Sequence, residues 1–394
     1  MAIWALAFLA VGRQRVAVSV AFMAYGAVSG SWVPRLPAIK EHLGLSDGQV
    51  GVALLVVAAG AIIGAAGARF ALNHGVRFWV RTGTVVLCAT LLGPALAGQF
   101  VVLLASMTLL GATAGFLDVI ENAQAADLER QAKRPLINGF HAFWSLGALV
   151  GSVVAALAAH AGVAPTIQFL FAAVVLATAS APFLRRLPDT RGGIRDPAAG
   201  DATRWRLGAA VGALAAIAFC GILVEGGGGD WSAVYLREIA RADPGLAASG
   251  YAGFALAMTL VRFGADRLTA RTSPELVAAL GGLLAAAGLA VAIALPVVLG
   301  AVIGFTLVGA GVAVVIPLAF SAGANLGRSA TALSLIASSA YAGSIAGPFL
   351  IGNVADRLGL RAALAIPLIA ALVIIVLARS VRRVTAPTAL ETSA

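Results

Sequence analysis

LLGATAGFLDVIENAQAADLER (109–130) lies over LVGAGVAVVIPLAFSAGANLGR (307–328) in the same chain. Gly111, Leu128 and Arg130 of the first stretch meet Gly309, Leu326 and Arg328 of the second, 198 residues further on. Other pairs keep nearly the same spacing. Gly30-Ser31-Trp32 precedes Gly229-Asp230-Trp231 by 199 residues, and Gly51 precedes Gly250 by the same number. Gly147 and Gly151 match Gly343 and Gly347. The chain of 394 residues is therefore an internal duplication.

The duplicated unit is a set of membrane helices. The chain is 60% hydrophobic and only 11% charged, with a mean hydropathy of +0.97. A soluble domain needs far more charge to cover its surface. Apolar runs long enough to cross a hydrocarbon core, roughly 20 residues each, recur throughout. They are continuous rather than alternating, which favours a helical bundle over a transmembrane barrel. The 46 glycines suit close helix approach. Helices are predicted at 15–36, 48–69, 77–98, 100–122, 137–159, 166–184, 207–236, 247–267, 274–295, 297–320, 330–351 and 362–379. Helices 3 and 4, and 9 and 10, are joined by short turns at Gly98-Gln99 and around Pro296. The expected fold class is thus an all-α membrane protein with twelve transmembrane helices in two pseudo-symmetric six-helix bundles. Six helices keep the orientation of a repeat, so the repeats are parallel and related by an axis along the membrane normal.

Lys and Arg set the orientation. With the N-terminus inside, 21 of the 27 basic residues fall in inside segments, and only Arg35, Lys40, Arg237, Arg241, Arg357 and Arg361 fall outside. The expectation is N-in and C-in. The net charge of +10 reflects these clusters, so nucleic acid is not the expected partner. The longest inside connection, LPDTRGGIRDPAAGDATRW (187–205), is rich in Gly, Pro and charge, as a linker is. The expected organisation is a first bundle over 1–186, a cytoplasmic linker over 187–205, and a second bundle with a short cytoplasmic tail over 206–394. Cys88 and Cys220 lie in apolar runs and read as small hydrophobes. MAIWALAFLAVGRQR (1–15) has no basic stretch ahead of its apolar run, so no cleaved signal peptide is expected.

Of 17 acidic residues, Asp118, Glu121, Glu225 and Asp230 fall in or beside apolar spans. A charged side chain there costs roughly 2.5–3.5 kcal/mol on insertion scales, and such residues mark a substrate or ion path. Asp118, Glu121 and Asn122 fall at i, i+3 and i+4, on one helical face. Two carboxylates that repel each other out of water suit reversible proton binding. In the repeat Asp118 meets Ile316 and Glu121 meets Ala319, so the scaffold does not require acid there. The alternative is a gate salt bridge to Arg130 or Arg262. Glu225 and Asp230 bracket Gly226–Gly229, and four glycines in a long helix predict a break or kink in helix 7. A polar cavity is predicted from Tyr25, Ser29 and Trp32 on one face of helix 1, Ser334, Ser338 and Tyr341 on helix 11, His141 and Trp144 on helix 5, and Trp231. For Trp32 and Trp231 the alternative is an interfacial aromatic belt.

The loop Arg-Phe-Gly-Ala-Asp-Arg-Leu (262–268) resembles the cytoplasmic Asp-Arg motif of the major facilitator superfamily. Its counterpart GARFALNHGVR (67–77) lacks the aspartate, while GPFLIGNVADRLGLR (347–361) closes helix 11 as many members do. The resemblance covers essentially the whole chain. Within the superfamily, Asp118 four before Asn122, with Pro317, Phe320 and Ser321, is similar to the fucose-permease-like branch of bacterial members. Those permeases carry a carboxylate on helix 1; GAVSGSWVPRL (26–36) has none. The resemblance implies alternating access with a site between the halves, and gating by Arg262, Asp266 and Arg267.

The expectation is a secondary transporter, a monomer in the bacterial inner membrane, carrying a small polar solute such as a sugar by proton-coupled symport. Asp118, Asn122, Glu121, Glu225 and Asp230 are the candidates for proton coupling or substrate binding. Drug or metabolite efflux by proton antiport is the alternative, but GALVGSVV (147–154) has serine where the superfamily's drug antiporters carry proline. A non-transporting membrane sensor is the alternative of another class. No G-x-x-x-x-G-K-[ST] run occurs, and His42, His74, His141 and His160 are scattered. ATP-driven transport, enzyme chemistry, a metal centre and a bound cofactor are therefore not expected.

Overall fold

The computed structural model describes residues 2–132, 136–189, 209–324 and 329–381, with the side chains at 2–11, 138, 266–268, 270 and 329–331 outside the description. Leu326 and Arg328 of the repeat, residues 190–205 of the expected linker and the tail beyond 381 also lie outside the described residues. Twelve helical segments among the described residues are long and apolar enough to cross a membrane. They are α1 (Gly12–Leu43), α2 (Asp47–His74), α3 (Val76–Leu96), α4 (Phe100–Ala132), α5 (Gly139–His160) and α6 (Pro165–Leu184) in the first half. The second half holds α7 (Ala209–Glu238), α8 (Pro244–Ala265), α9 (Pro274–Ala294), α10 (Val298–Ala324), α11 (Ala332–Leu358) and α12 (Leu360–Val381). No strand occurs among the described residues.

Prolines account for the interruptions. α3 is broken at Leu91, α10 at Ala313–Val314 and α12 at Leu364. Each break falls three or four residues before Pro94, Pro317 or Pro367. A proline ring has no N–H to donate and collides with the carbonyl four residues back. In α1, Pro34 sits in a 3-10 turn over Val33–Arg35, after which the chain resumes as helix over Leu36–Leu43.

Several helices extend beyond their expected ends, and two of the differences have distinct physical reasons. α4 runs to Ala132 rather than 122. Its last turns, ENAQAADLER (121–130), are polar but mostly strong helix formers, so hydropathy marks where lipid-facing sequence ends and not where the helix does. The predicted break in helix 7 is absent: α7 is one continuous helix through Gly226–Gly229. Packing overrides propensity there. A methyl group on Gly227 would lie 3.0 Å from Pro367, and one on Gly228 only 2.7 Å from Val308 and 3.0 Å from Phe254. The glycines bring α12, α10 and α8 against α7.

The duplication is visible in the packing. α1 packs on α5 as α7 packs on α11, and α2 packs on α4 as α8 packs on α10. The halves meet where α2 packs on α11 and α5 on α8, pairs that the repeat exchanges. Side chains at Gly147 and Gly151 would collide with the Met23 and Ala27 carbonyls of α1; one at Gly343 would collide with the Phe219 carbonyl of α7, and Gly347 packs beside Leu223 at ordinary contact distance. Met23 to Phe219 and Ala27 to Leu223 are each 196 residues apart. The offset of 199 from Gly30-Ser31-Trp32 and Gly229-Asp230-Trp231 is therefore three residues out of structural register. Three residues is close to one helical turn, so the sequence match kept the face but missed the height.

Candidate functional site

A cavity of about 340 Å³ lies between the halves. Small-molecule sites commonly occupy about 300–1,000 Å³. From the first half, α1 contributes Tyr25, Ser29 and Trp32, and α5 contributes Trp144 and Ser145. From the second, α7 turns Glu225, Gly226, Gly229 and Asp230 inward, and Tyr341 and Ser344 come from α11. The Tyr25 and Trp144 rings meet edge to face, 6.1 Å between centroids, which fixes the α1–α5 wall. Glu225 and Asp230 are the only carboxylates among the described lining residues, and no Lys, Arg or His joins them.

A polar chain runs from Asp118 of α4 to this cavity. Asn122 Nδ2 donates to Asp118 Oδ1 at 3.1 Å and to the Asp118 carbonyl at 2.8 Å. Asn122 Oδ1 lies 3.2 Å from His141 Nε2. Ser145 Oγ donates to the His141 carbonyl at 3.2 Å and accepts from Arg262 Nη1 at 3.0 Å. Arg262 Nη2 stands 3.6 Å from Glu225 Oε1. One chain of groups thus joins α4, α5, α8 and α7 and crosses between the halves. Glu121, one turn from Asp118, is 1% exposed, and both its carboxylate oxygens lack a hydrogen-bond partner among the described residues. Charge on it is uncompensated in this arrangement.

The predicted gate pairing of Asp118 or Glu121 with Arg130 or Arg262 is not what forms. Arg130 Nη2 bonds Asp127 at 3.0 Å instead, and Arg262 faces Ser145 and Glu225. The side chains of Asp266 and Arg267 lie outside the described residues. Of the predicted cavity residues, Tyr25, Ser29, Trp32, Trp144 and Tyr341 line it. His141 sits beside it in the polar chain. Ser338 is exposed and does not line it; Ser344, further along α11, does. Trp231 is wholly buried, with its indole Nε1 unpartnered among the described residues, so it belongs neither to the cavity nor to an aromatic belt. Trp32 is 5% exposed, which also excludes the belt for it.

Sequence reasoning missed Tyr251 of α8, which lines the cavity. It also missed a set of ion pairs at the end of the bundle where α1 and α7 terminate. Lys40 bonds Asp47 in its own half and Glu238 in the other. Arg237 Nε donates to Glu41 Oε1 at 2.6 Å. Asp356 of α11 accepts from the Gly48 N–H at 2.8 Å and from Ser46 Oγ at 3.0 Å, at the start of α2. Below these contacts Gly51 and Gly352 let α2 and α11 meet backbone to backbone. The halves are clasped at this end of the cavity. The opposite charges at 40–41 and 237–238 were the sequence signal, about 198 residues apart.

Comparison with known proteins agrees with this architecture. The sequence pattern of the Major Facilitator Superfamily matches residues 17–329. An uncharacterized transporter of Sinorhizobium fredii is 32% identical over 348 residues, 87% of this chain and 92% of its own. An uncharacterized MFS-type transporter of Yersinia pestis is 30% identical over 383 residues, covering 94% of this chain and 96% of its own. Among solved structures, a point mutant of the nucleoside transporter NupG superposes with a TM-score of 0.71 at 12% identity, over 93% of this chain and 98% of its own. FucP in its outward conformation gives 0.62 at 19% identity, over 93% and 97%. At these identities the likeness is one of fold.

Proposed function

Since the chain belongs to the major facilitator superfamily, we propose that it moves a small polar solute across the bacterial inner membrane by proton-coupled symport. The observation that carries this reading is the polar chain from Asp118 to Glu225, which links an acid in one half to the cavity wall of the other. Asp118 and Glu121 are the proton-binding groups. Asn122, His141, Ser145 and Arg262 relay the occupancy of those acids to Glu225, where solute binds. The aromatic and hydroxyl groups of the cavity hold the solute.

The two bundles, 1–186 and 206–394, rock about the cavity, with the linker over 187–205 and both termini cytoplasmic. The excess of Lys and Arg on that side supports the orientation. The clasp of Lys40, Glu41, Arg237 and Glu238 is then the outer gate, closed here, and the α2–α11 contact parts when it opens. Arg262, with Asp266 and Arg267 beyond it, gates the inner side. The working unit is one chain.

The test is uptake into proteoliposomes holding the purified protein, with a proton gradient imposed and a panel of labelled polar solutes outside. Symport predicts accumulation when the outside is acidic and its collapse with a protonophore. Accumulation only when the gradient is reversed would assign antiport. Binding without flux would assign a non-transporting sensor.

A further inference from the structure

We infer that the solute carries a positive charge, as a protonated amine on a small hydroxylated ring, and that Asp230 is its counter-ion. The inference rests on reading the central cavity as the solute site. Of the two carboxylates in the cavity wall, Glu225 has Arg262 at 3.6 Å. Asp230 has no hydrogen bond or ion pair among the described residues, so it is the cavity carboxylate left open to a partner on the solute.

The carboxylate is aimed inward by its helix. Asp230 Oδ2 lies over Gly226, 3.6 Å from where a Cβ would stand there, and both residues line the cavity. With no side chain at Gly226, the carboxylate is reachable from the cavity rather than screened by its own helix. The surroundings suit an ammonium group. Tyr251 stands on the same side: a Cβ on Gly229 would lie 3.6 Å from its ring edge. Trp32 and Trp144 line the cavity with it. Aromatic faces attract cations within about 6 Å of the ring centre, more strongly where water is excluded. The hydroxyls of Ser29 and Ser344 complete the lining and match hydroxyl groups on the solute. A volume of about 340 Å³ admits a single ring with its substituents. A neutral sugar offers the Asp230 carboxylate no cation to pair with, and a sugar acid would bring a second anion to it.

The test is a thermal-shift titration of the purified full-length protein in nanodiscs with three probe sets on the same rings: amino sugars such as glucosamine, the neutral parent sugars, and the sugar acids. The expected result is stabilisation by the amino sugars, with Kd weakened on the order of 30-fold in Asp230→Asn. Asp230→Glu keeps the charge and therefore the preference for amines, which separates lost binding from lost folding. Stabilisation by neutral or acidic sugars that Asp230→Asn leaves unchanged overturns the amine inference and leaves the cavity reading standing. Neutral sugars that bind with proton uptake abolished in Asp230→Asn overturn it as well, by making Asp230 a proton site. Absence of a shift from all three sets overturns the cavity reading, and this inference with it.

Discussion

Replacing Lys40 with methionine removes the cation that ties Asp47 to Glu238 across the halves and leaves two carboxylates facing each other. The Lys40 side chain is 10% exposed, Asp47 14% and Glu238 33%. Removing one partner of a fully buried pair costs about 3–5 kcal/mol, whereas an exposed pair is worth about 0.2–1 kcal/mol. These exposures place the clasp between those limits, at about 2 kcal/mol. Lys40 and Asp47 share one half, so only the part of that cost that belongs to Glu238, about 1 kcal/mol, falls on the closed arrangement alone, and the ratio of closed to open molecules drops roughly 5-fold. Double electron–electron resonance between nitroxides at His42→Cys and Leu246→Cys reads that ratio, because both sites are exposed and lie one in each half. The native Cys88 and Cys220 are buried and take up little label. Lys40→Met is expected to move population to a longer distance. An unchanged distance distribution in a well-folded Lys40→Met protein would refute the clasp as a gate.

Three further outcomes follow from named contacts. Arg262→Leu strands Ser145 and Glu225, and adding Glu225→Gln restores part of the lost transport; the double-mutant cycle should give a coupling of about 1 kcal/mol. Asn122→Leu cuts the link between Asp118 and His141 and should reduce gradient-driven uptake about 10-fold, while solute exchange without a gradient is spared. Gly64→Val drives a side chain into the Ala112 carbonyl and Phe116 of α4 and should cost about 1–3 kcal/mol by overpacking. Gly67→Ala, with nothing within 4 Å of its new methyl, should leave the melting temperature unchanged or raised. Fluorescence melting in detergent compares the two.

The fold was legible because a membrane core demands long apolar runs and the duplication repeats them. The alternation of Arg and Lys then gave an expected orientation without any side-chain geometry. The candidate acids were legible for the same reason: Asp118, Glu121, Glu225 and Asp230 stand out against lipid-compatible sequence. What joins them was not. Arg262 reads as a loop-motif arginine, and only the packing of α8 on α5 and α7 places it between Ser145 and Glu225. Tyr251 has no spacing that marks it, since its role depends on the height of α8 in the bundle. The glycines of α7 misled in the opposite direction, because propensity counts local cost while three neighbouring helices supply the packing that offsets it. The 199-residue match erred by nearly one turn, which helical periodicity hides and contact geometry exposes.

The most direct measurement of the account is solute-driven proton movement in proteoliposomes carrying an internal pH dye, with no gradient imposed at the start. Adding solute outside is expected to acidify the lumen in the wild type. Asp118→Asn should abolish that signal while still exchanging labelled for unlabelled solute. Acidification that survives intact in Asp118→Asn, or solute entry with no proton movement in the wild type, would contradict it.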